Sequence, residues 1–539
     1  TVMIASLLCE CFYRGGVPKT ALQMIPCPGR DVGESLVAND LVDTVILTGG
    51  TETALKMLHA KPEMRLLAET GGKNATIVTA MADRDQAIKH VLQSAFGHSG
   101  QKCSATSLLL LEEEVFEDVS FRETLIDAAK SLKVGSAWDT STRVGPMIVP
   151  PTGDLNRALK ELEAGESWAL IPRRKEGTQG IYSPGIKWNV QRGSYTHLTE
   201  FFGPVLGVMS FRSLSEAIQI VNETGYGLTS GLESLDDREQ SQWLAGIRAG
   251  NLYLNRSTTG AIVLRQPFGG MGRSAFGPGI KAGGPNYVAQ LMKFEACDAP
   301  ALPDAANPFA ADSIRSADSQ IQAANTDRQR QLSELAADLL DETAAGAKMN
   351  KDEAKRLCQA IASYQKAAND EFLQTHDHFR LVGQDNLRRY VPMPVLVIRV
   401  SERDSWSEIV MRVAAAKSVA CRSIVSAPPG VHTESLQRLH DMTESWAADI
   451  EFVEQTTDEL IEAVQWGGVS RLRYASPDRV PMAVRRAVMD RYVHVADMPV
   501  CSEGRIELMW YVQEQSISSN YHRHGNLGLR ASEERAAVL

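Results

Sequence analysis

The stretch TVILTGGTE, residues 44–52, decides the fold class of this chain. Its first four residues form an apolar, β-branched run that is typical of a buried strand. Thr48-Gly49-Gly50 then turns the chain into a helix that begins near Thr51. The same alternation continues outward in short strands and helices, predicted at residues 66–68, 75–78, 83–97, 107–111 and 115–130. Such alternation predicts an α/β fold with a mainly parallel sheet covered by helices.

The pattern changes after residue 296. Residues 297–375 are polar with few β-branched residues, which predicts a linker of two or three polar helices between residues 313 and 369. Alternation then returns, with strands predicted at residues 395–400, 422–426, 450–454 and 471–475 and helices at 406–419, 433–443, 458–466 and 482–491. We therefore predict a second, doubly wound α/β unit. The tail at residues 516–528 is polar, and we expect it to be irregular.

Composition excludes several classes of protein. The 539 residues carry 56 Lys and Arg against 66 Asp and Glu, a net charge of -10, which disfavours charge-driven nucleic-acid binding. The eight cysteines contain no Cys-x-x-Cys pair, so we expect a reduced, cytoplasmic protein. No apolar run approaches the roughly 18 residues of a spanning helix. Two His-x-His pairs, at 376/378 and 522/524, lack the partners of a metal site, so no metal is expected.

Two short motifs carry the chemistry: ETGGKN at residues 69–74 and GQKCSA at residues 100–105. Cys103 follows a helix and a glycine-containing loop and stands just before a strand, a place that exposes a thiol to a cleft. A nucleophilic cysteine needs a stabilised thiolate and a carboxylate that can move a proton. Glu69, at a strand end flanked by glycines, is that carboxylate. A lone cysteine is most often a small buried hydrophobe, and only the pairing of the two motifs favours a catalytic role.

These motifs resemble the aldehyde dehydrogenase superfamily, whose general base lies in Glu-x-Gly-Gly-Lys and whose nucleophile lies in Gly-Gln-x-Cys. Three further segments match in order: residues 48–52 resemble the cofactor turn, 200–204 the Glu-x-Phe-Gly-Pro segment, and 267–270 the Pro-Phe-Gly-Gly element. The resemblance implies an NAD cofactor with its pyrophosphate at a helix N-terminus. The residues implied in NAD binding are Thr48, Gly49, Gly50, Thr51, Gly71, Glu200 and Phe202. Gly50 replaces the usual Ser of the turn, so we expect weaker NAD affinity.

The subfamily follows from residues 259–263, 266–270 and 283–287, which look like those of L-glutamate γ-semialdehyde (1-pyrroline-5-carboxylate) dehydrogenases. They most resemble the dehydrogenase module of the bifunctional proline utilization A (PutA) family. The resemblance implies oxidation of the semialdehyde to glutamate through a Cys103 thioester that Glu69 helps to hydrolyse. It also implies that Ser104, Gly260 and Ala261 hold the substrate carboxylate while Phe268 packs on its aliphatic chain. A proline dehydrogenase module upstream in the same polypeptide and a homo-oligomer are expected as well.

The resemblance also suggests how the chain is divided. The predicted parts are 1–70, the C-terminal part of the NAD-binding domain; 71–255, the catalytic domain; 256–296, the aldehyde-anchor loop and return to the NAD-binding and oligomerisation region; 297–375, the linker; 376–512, a degenerate dehydrogenase-like domain; and 513–539, a tail motif. The family's first nucleotide-binding strands and its oxyanion Asn belong upstream of residue 1. We therefore expect an N-terminally truncated chain that is inactive or weakly active alone.

Two alternatives to this function stay open at the level of sequence. The chain could be a non-catalytic scaffold or oligomerisation piece of the larger enzyme. It could also be a dehydrogenase of another semialdehyde. The choice between NAD and NADP is likewise open, because the discriminating strand end belongs upstream.

Overall fold

The computed structural model describes residues 2–27, 32–294, 313–314, 319–341, 349–446 and 448–535. Its strands are β1 Val45–Thr48, β2 Leu66–Glu69, β3 Ala75–Val78, β4 Leu108–Glu112, β5 Ser167–Leu170, β6 Gly185–Trp188, β7 Val205–Phe211, β8 Thr229–Glu233, β9 Asn251–Leu254, β10 Ala275–Phe276, β11 Ser313–Ile314, β12 Thr375–His376, β13 Gln384–Pro392, β14 Leu396–Arg399, β15 Ser423–Ala427, β16 Ile450–Glu454, β17 Arg471–Arg473, β18 His494–Ala496 and β19 Val512–Asn520.

The α-helices are α1 Val2–Arg14, α2 Glu34–Ala38, α3 Thr51–Ala60, α4 Arg84–Phe96, α5 Glu113–Glu117, α6 Val119–Ser131, α7 Gly153–Ala158, α8 Tyr195–Leu198, α9 Leu214–Glu223, α10 Asp237–Gly246, α11 Ser319–Asp341, α12 Lys351–Ala367, α13 Trp406–Ser418, α14 Thr433–Met442, α15 Thr457–Gln465, α16 Met482–Met489 and α17 Gly504–Glu507. None of these described helices is both long and apolar enough to cross a bilayer.

The largest sheet has the strand order β11-β12-β13-β19-β9-β8-β3-β4-β7-β6-β5. Every neighbouring pair from β19 to β6 is parallel, and antiparallel pairs close both edges. Residues 75–78 of β3 are buried throughout, because apolar clusters cover both faces of the sheet. Strands buried on both faces explain the continuous apolar runs in the sequence. The predicted parallel sheet covered by helices is confirmed.

A small sheet with the order β1-β2-β10 carries the predicted base. β1 and β2 are parallel, and their register places Thr48 opposite Glu69. β10 runs antiparallel on the other side of β2, with Ala275 opposite Glu69. The carboxyl ends of β1 and β2, and the start of α3 that follows β1, therefore meet at one edge. Ligands of open α/β sheets commonly bind at such an edge.

The third sheet has the order β16-β15-β14-β17-β18 and is parallel throughout. Its strand order reverses between β14 and β17, as in doubly wound folds. The strands and helices predicted between residues 395 and 491 are confirmed. Helices α11 and α12 confirm two polar helices in the linker, and their apolar residues pack into the core of this unit. Residues 297–312 lie outside the described residues.

The predicted irregular tail is wrong for residues 516–520, which belong to β19. β19 pairs antiparallel with β13 and parallel with β9, so that the C-terminal segment lies inside the largest sheet. Its polar residues are buried because they have partners: Gln515 Nε2 donates to the Ala249 carbonyl at 2.9 Å, and Ser518 Oγ donates to Asn386 Oδ1 at 2.9 Å. The predicted boundary between the domain at residues 376–512 and the tail at residues 513–539 thus falls at the start of β19.

Candidate active site

The loop that carries Cys103 is held by backbone geometry and by one asparagine. After α4, residues 97–100 form a 3₁₀ turn that ends at Gly100, whose φ is 67°. A Cβ there would lie 2.3 Å from the Gly203 carbonyl oxygen, so this position excludes any side chain. Asn74 Nδ2 donates to the carbonyls of Cys103 at 2.6 Å and Ala105 at 3.0 Å. Buried Asn74 therefore fixes the loop against the start of β3.

The Cys103 thiol is partly exposed, as a nucleophile requires. Burial nevertheless raises the pKa of the thiol, the Ser104 N–H lowers it, and the charges of Glu69 and Glu200 raise it again. These effects together favour the neutral thiol, and the stabilised thiolate stays a prediction. The structure does bring Cys103 within electrostatic reach of Glu69 and Glu200. A base must remove the thiol proton before the sulfur can attack.

Glu69 lies at the end of β2, where its carboxylate is held by the backbone. Its Oε2 accepts a hydrogen bond from the Gly270 N–H at 2.8 Å. A Cβ on Gly269 would approach Oε1 to 2.6 Å, so the carboxylate packs directly on this backbone. Burial raises the pKa of Glu69 to about 7, against the opposing effects of the Lys281 ammonium and the Gly270 N–H. A carboxyl group with this pKa can accept and release protons near neutral pH.

Glu200 is placed by the glycines that follow Glu69. Its Oε1 accepts a hydrogen bond from the Gly72 N–H at 2.9 Å. A Cβ on Gly71 would lie 1.9 Å from Glu200 Oε2, so the carboxylate occupies the space that a side chain would need. Burial raises the pKa of Glu200, while the Gly72 N–H and the charges of Lys73 and Arg273 lower it. The motif at residues 69–74 and the segment at residues 200–204 therefore meet at the Glu200 carboxylate.

The turn at residues 48–51 adjoins this cluster. Gly50 is the N-cap of α3, and nothing stands within 4 Å of the Cβ it lacks, so the helix N-terminus is open. Thr51 Oγ1 lies 3.2 Å from both the carbonyl oxygen of Arg273 and Thr70 Oγ1, and its one proton can bond to either, which ties the helix start to the residue after Glu69. An open helix N-terminus is a ready site for a phosphate group.

The other predicted residues are distributed around the Cys103 loop. Phe202 is exposed, has a φ of 53°, and its carbonyl accepts from Gln101 Nε2 at 3.1 Å. Ser104 is buried, and its carbonyl accepts from Thr258 Oγ1 at 2.9 Å. That bond fixes the beginning of the loop that continues to Gly260 and Ala261, both exposed. Phe268 is half-buried, and its N–H donates to the Ala282 carbonyl at 2.9 Å.

Sequence reasoning missed three residues of this site. Asn74 and Lys73 belong to the quoted motif, but nothing in the motif assigned them contacts. Lys73 is buried, its Nζ lies 4.2 Å from the centre of the Phe201 ring, and no hydrogen-bond acceptor for it occurs among the described residues. Burial lowers the pKa of Lys73 to about 7. Lys281 is also buried and donates through Nζ to the Gly269 carbonyl, a contact that no local pattern indicates.

No group of three or more His, Cys, Asp and Glu side chains within the described ranges is placed to hold a metal ion. In the first His-x-His pair, the buried His376 ring donates through Nε2 to the carbonyl of Glu371 at 3.1 Å. This histidine thus has a structural contact within its own segment.

Comparison with known proteins gives a consistent assignment. The model of the aldehyde dehydrogenase family matches residues 1–296. The 1-pyrroline-5-carboxylate dehydrogenase of Geobacillus thermodenitrificans is 33% identical over 304 residues, which cover 54% of this chain and 58% of the relative. The bifunctional protein PutA of Klebsiella aerogenes is 31% identical over 441 residues, or 78% of this chain and 31% of the relative. The chain thus spans 58% of the length of the first of these relatives.

Two solved structures extend the likeness to three dimensions. Proline utilization A from Corynebacterium freiburgense matches with a TM-score of 0.75 and 34% identity, covering 97% of this chain and 46% of that one. A 1-pyrroline-5-carboxylate dehydrogenase from Thermus with bound NAD matches with a TM-score of 0.50 and 31% identity, covering 54% of this chain and 57% of that one. The first match includes both α/β units, and the second covers about half of the chain.

Proposed function

The chain belongs to the aldehyde dehydrogenase family, and from this premise we propose that it oxidises L-glutamate γ-semialdehyde to L-glutamate with NAD. The observation that carries the proposal is the pairing of the Cys103 thiol with Glu69, a carboxyl group whose pKa is about 7. The names of the relatives, 1-pyrroline-5-carboxylate dehydrogenase and bifunctional PutA, support the choice of substrate.

The chain's own groups supply the proton transfers of this reaction. Glu69 takes the proton of the Cys103 thiol, and the sulfur then bonds to the aldehyde carbon. NAD, when bound, supplies a hydride acceptor. Once the hydride has left that carbon, the acyl group remains as a thioester on Cys103. Glu69 releases the thiol proton to solvent and then removes a proton from the water that attacks the thioester. The carbon–sulfur bond breaks, glutamate leaves, and the thiol is restored. Covalent catalysis divides a difficult oxidation into two easier steps.

The residues present fit NAD on two observations. The N-terminus of α3, a helix of ten residues, is open beside Gly50 and would take the pyrophosphate. Glu200 is held by Gly72 beside the Cys103 cleft, where its carboxylate would accept a ribose hydroxyl. Thr48, Gly49, Thr51 and Gly71 complete the proposed site, and Phe202 would pack beside the nicotinamide.

The substrate carboxylate is assigned to Ser104, Gly260 and Ala261. Backbone N–H groups and a hydroxyl can share its negative charge without a buried arginine. Phe268 would pack on the aliphatic chain. We further propose a cytoplasmic homo-oligomer whose polypeptide also carries a proline dehydrogenase module, on the support of the relatives named as bifunctional.

The test uses the polypeptide as the cell makes it, with formation of NADH as the readout. We expect turnover of glutamate semialdehyde to exceed that of succinate semialdehyde, and Cys103→Ala to abolish it while NAD binding persists. Glu69→Gln should slow both the formation and the hydrolysis of the Cys103 thioester, which mass spectrometry detects in the parent protein during turnover. Turnover that survives in Cys103→Ala, or equal turnover of the two semialdehydes, would overturn the proposal. A scaffold without catalytic function would give no thioester in any variant.

A further inference from the structure

The buried ammonium group of Lys281 lies within electrostatic reach of Glu69, the proposed base. Lys281 is 1% exposed, and its Nζ donates to the carbonyl of Gly269. The next residue, Gly270, donates its N–H to Glu69 Oε2 at 2.8 Å. A Cβ on Gly269 would lie 2.6 Å from Glu69 Oε1 and 3.4 Å from Lys281 Cγ. Lys281 and Glu69 thus bind the two ends of one peptide group, the Gly269 carbonyl and the Gly270 N–H.

The lysine is in turn held by the C-terminal strand. Glu514, in β19, is buried, and its Oε2 accepts from the Lys281 backbone N–H at 2.9 Å. Its Oε1 accepts from Asn286 Nδ2 at 2.5 Å. The Glu514 N–H donates to the Gly279 carbonyl at 3.2 Å. One residue from the far end of the chain therefore binds the segment on both sides of Lys281.

We propose that Lys281 and Glu514 are positioning residues for the general base: the Lys281 ammonium keeps Glu69 ionised despite its burial, and Glu514 holds that lysine in place and charged. This inference rests on the proposed function of Glu69. Through Glu514, strand β19 of the C-terminal segment would thus influence the chemistry of a site whose other residues come from earlier elements.

Other charged groups act on the same pair and have to be considered. Cys103 and Tyr287 interact electrostatically with Glu69. Arg388 and Tyr390 interact with Glu514. Among these groups Lys281 is the cation whose charge lowers the pKa of Glu69, while burial alone raises it. The charges of Glu69 and Glu514 in turn raise the pKa of Lys281, which burial lowers to about 8. Removal of the Lys281 charge should therefore raise the pKa of Glu69.

The test isolates the base from the cofactor by following hydrolysis of p-nitrophenyl acetate without NAD. In acylation Glu69 takes the thiol proton and passes it to solvent, the Cys103 sulfur bonds to the acetyl carbon, the ester carbon–oxygen bond breaks, and p-nitrophenolate leaves. In deacylation water attacks, the carbon–sulfur bond breaks, acetate leaves, and the sulfur regains its proton. Acylation is read as the initial burst and deacylation as the later steady rate. The rise of the deacylation rate with pH reports the ionisation of Glu69.

In the parent protein we expect this rise near pH 7, where Glu69 ionises. Lys281→Met should move it to higher pH by on the order of one unit, because an opposite charge is removed. Glu514→Gln, which keeps the shape of the side chain, should move it in the same direction by less. The matched control is Lys417→Met, which removes a buried lysine of the C-terminal unit that pairs with Asp449 at 2.6 Å, and it should leave the rise in place.

The outcomes separate the inference from the function on which it rests. A rise that stays in place in both Lys281→Met and Glu514→Gln, with the burst intact, would overturn the positioning role and leave the proposed function standing. Rates that fall equally at every pH without a shift would likewise reject it, since that is the result of a merely structural contact. If the parent protein forms no acetylated Cys103, the proposed function itself fails. Should Lys281→Met not fold, the isosteric Glu514→Gln decides.

Discussion

Replacement of Lys73 by methionine should stabilise the protein. Lys73 is 2% exposed, its Nζ finds no hydrogen-bond acceptor in the described part of the chain, and its main favourable neighbours are the Phe201 ring and the charge of Glu200. Burying an unpaired ammonium is costly, and the group responds by releasing its proton more readily. Methionine has a similar length, fills the same space, and needs no acceptor.

The size of the effect follows from the ionisation of Lys73. Burial lowers its pKa from 10.5 to about 7. Between these values the unfolded chain binds the proton more tightly than the folded one, so the lysine destabilises the fold. The cost is complete below pH 7 and disappears as the pH rises to 10.5. At 1.36 kcal/mol per pH unit it amounts to about 4 kcal/mol at pH 7 and about 2 kcal/mol at pH 9.

The assay compares the two proteins by urea unfolding at pH 7, 8 and 9, with pulse proteolysis to follow the sheet that contains β3. The advantage of Lys73→Met should be largest at pH 7 and shrink steadily toward pH 9. Lys417→Met serves as the control, because it breaks an ion pair with Asp449 and should not stabilise. A Lys73→Met protein that is less stable than the parent, or whose advantage does not change with pH, would refute the reasoning.

Two further predictions concern buried polar contacts. Asn74→Ala removes the donor to the carbonyls of Cys103 and Ala105 and the acceptor of the Thr229 N–H. It should cost about 3 kcal/mol in urea unfolding and slow iodoacetamide labelling of Cys103 several-fold; unchanged labelling would contradict the role of Asn74 in holding the loop. Arg473→Met leaves the buried Glu507 without its partner at 2.7 Å and should lower the unfolding free energy of the C-terminal unit by roughly 3–5 kcal/mol. A loss below about 1 kcal/mol would contradict that estimate.

Local sequence signals predicted the C-terminal unit well because its elements are encoded locally. Helices α13 and α15 begin with capping boxes, at Ser405 with Glu408 and at Thr456 with Glu459, which satisfy the first N–H groups of each helix. The buried runs between such helices are apolar and short, as strands of a covered sheet must be.

The same signals failed where stability depends on distant partners. β19 is polar, and its burial requires hydrogen bonds to residues that lie far away in the sequence, such as Ala249 and Asn386. The contact between Lys281 and Glu514 joins residues more than two hundred positions apart. The ionisation of Cys103 was also beyond prediction, because it depends on how deeply the loop is buried and not on the residues beside it. The roles of Cys103 and Glu69 themselves stay predictions.

The position of β19 also bears on how the protein is made. Its neighbour β9 ends at Leu254, and β19 begins only at Val512. About 260 residues must therefore leave the ribosome before β9 meets its partner, which takes roughly 10 to 50 seconds at ordinary rates of translation. During that time β9 is a free edge that can pair with another nascent chain. Synthesis of this protein thus creates a period in which protection by a chaperone would matter most.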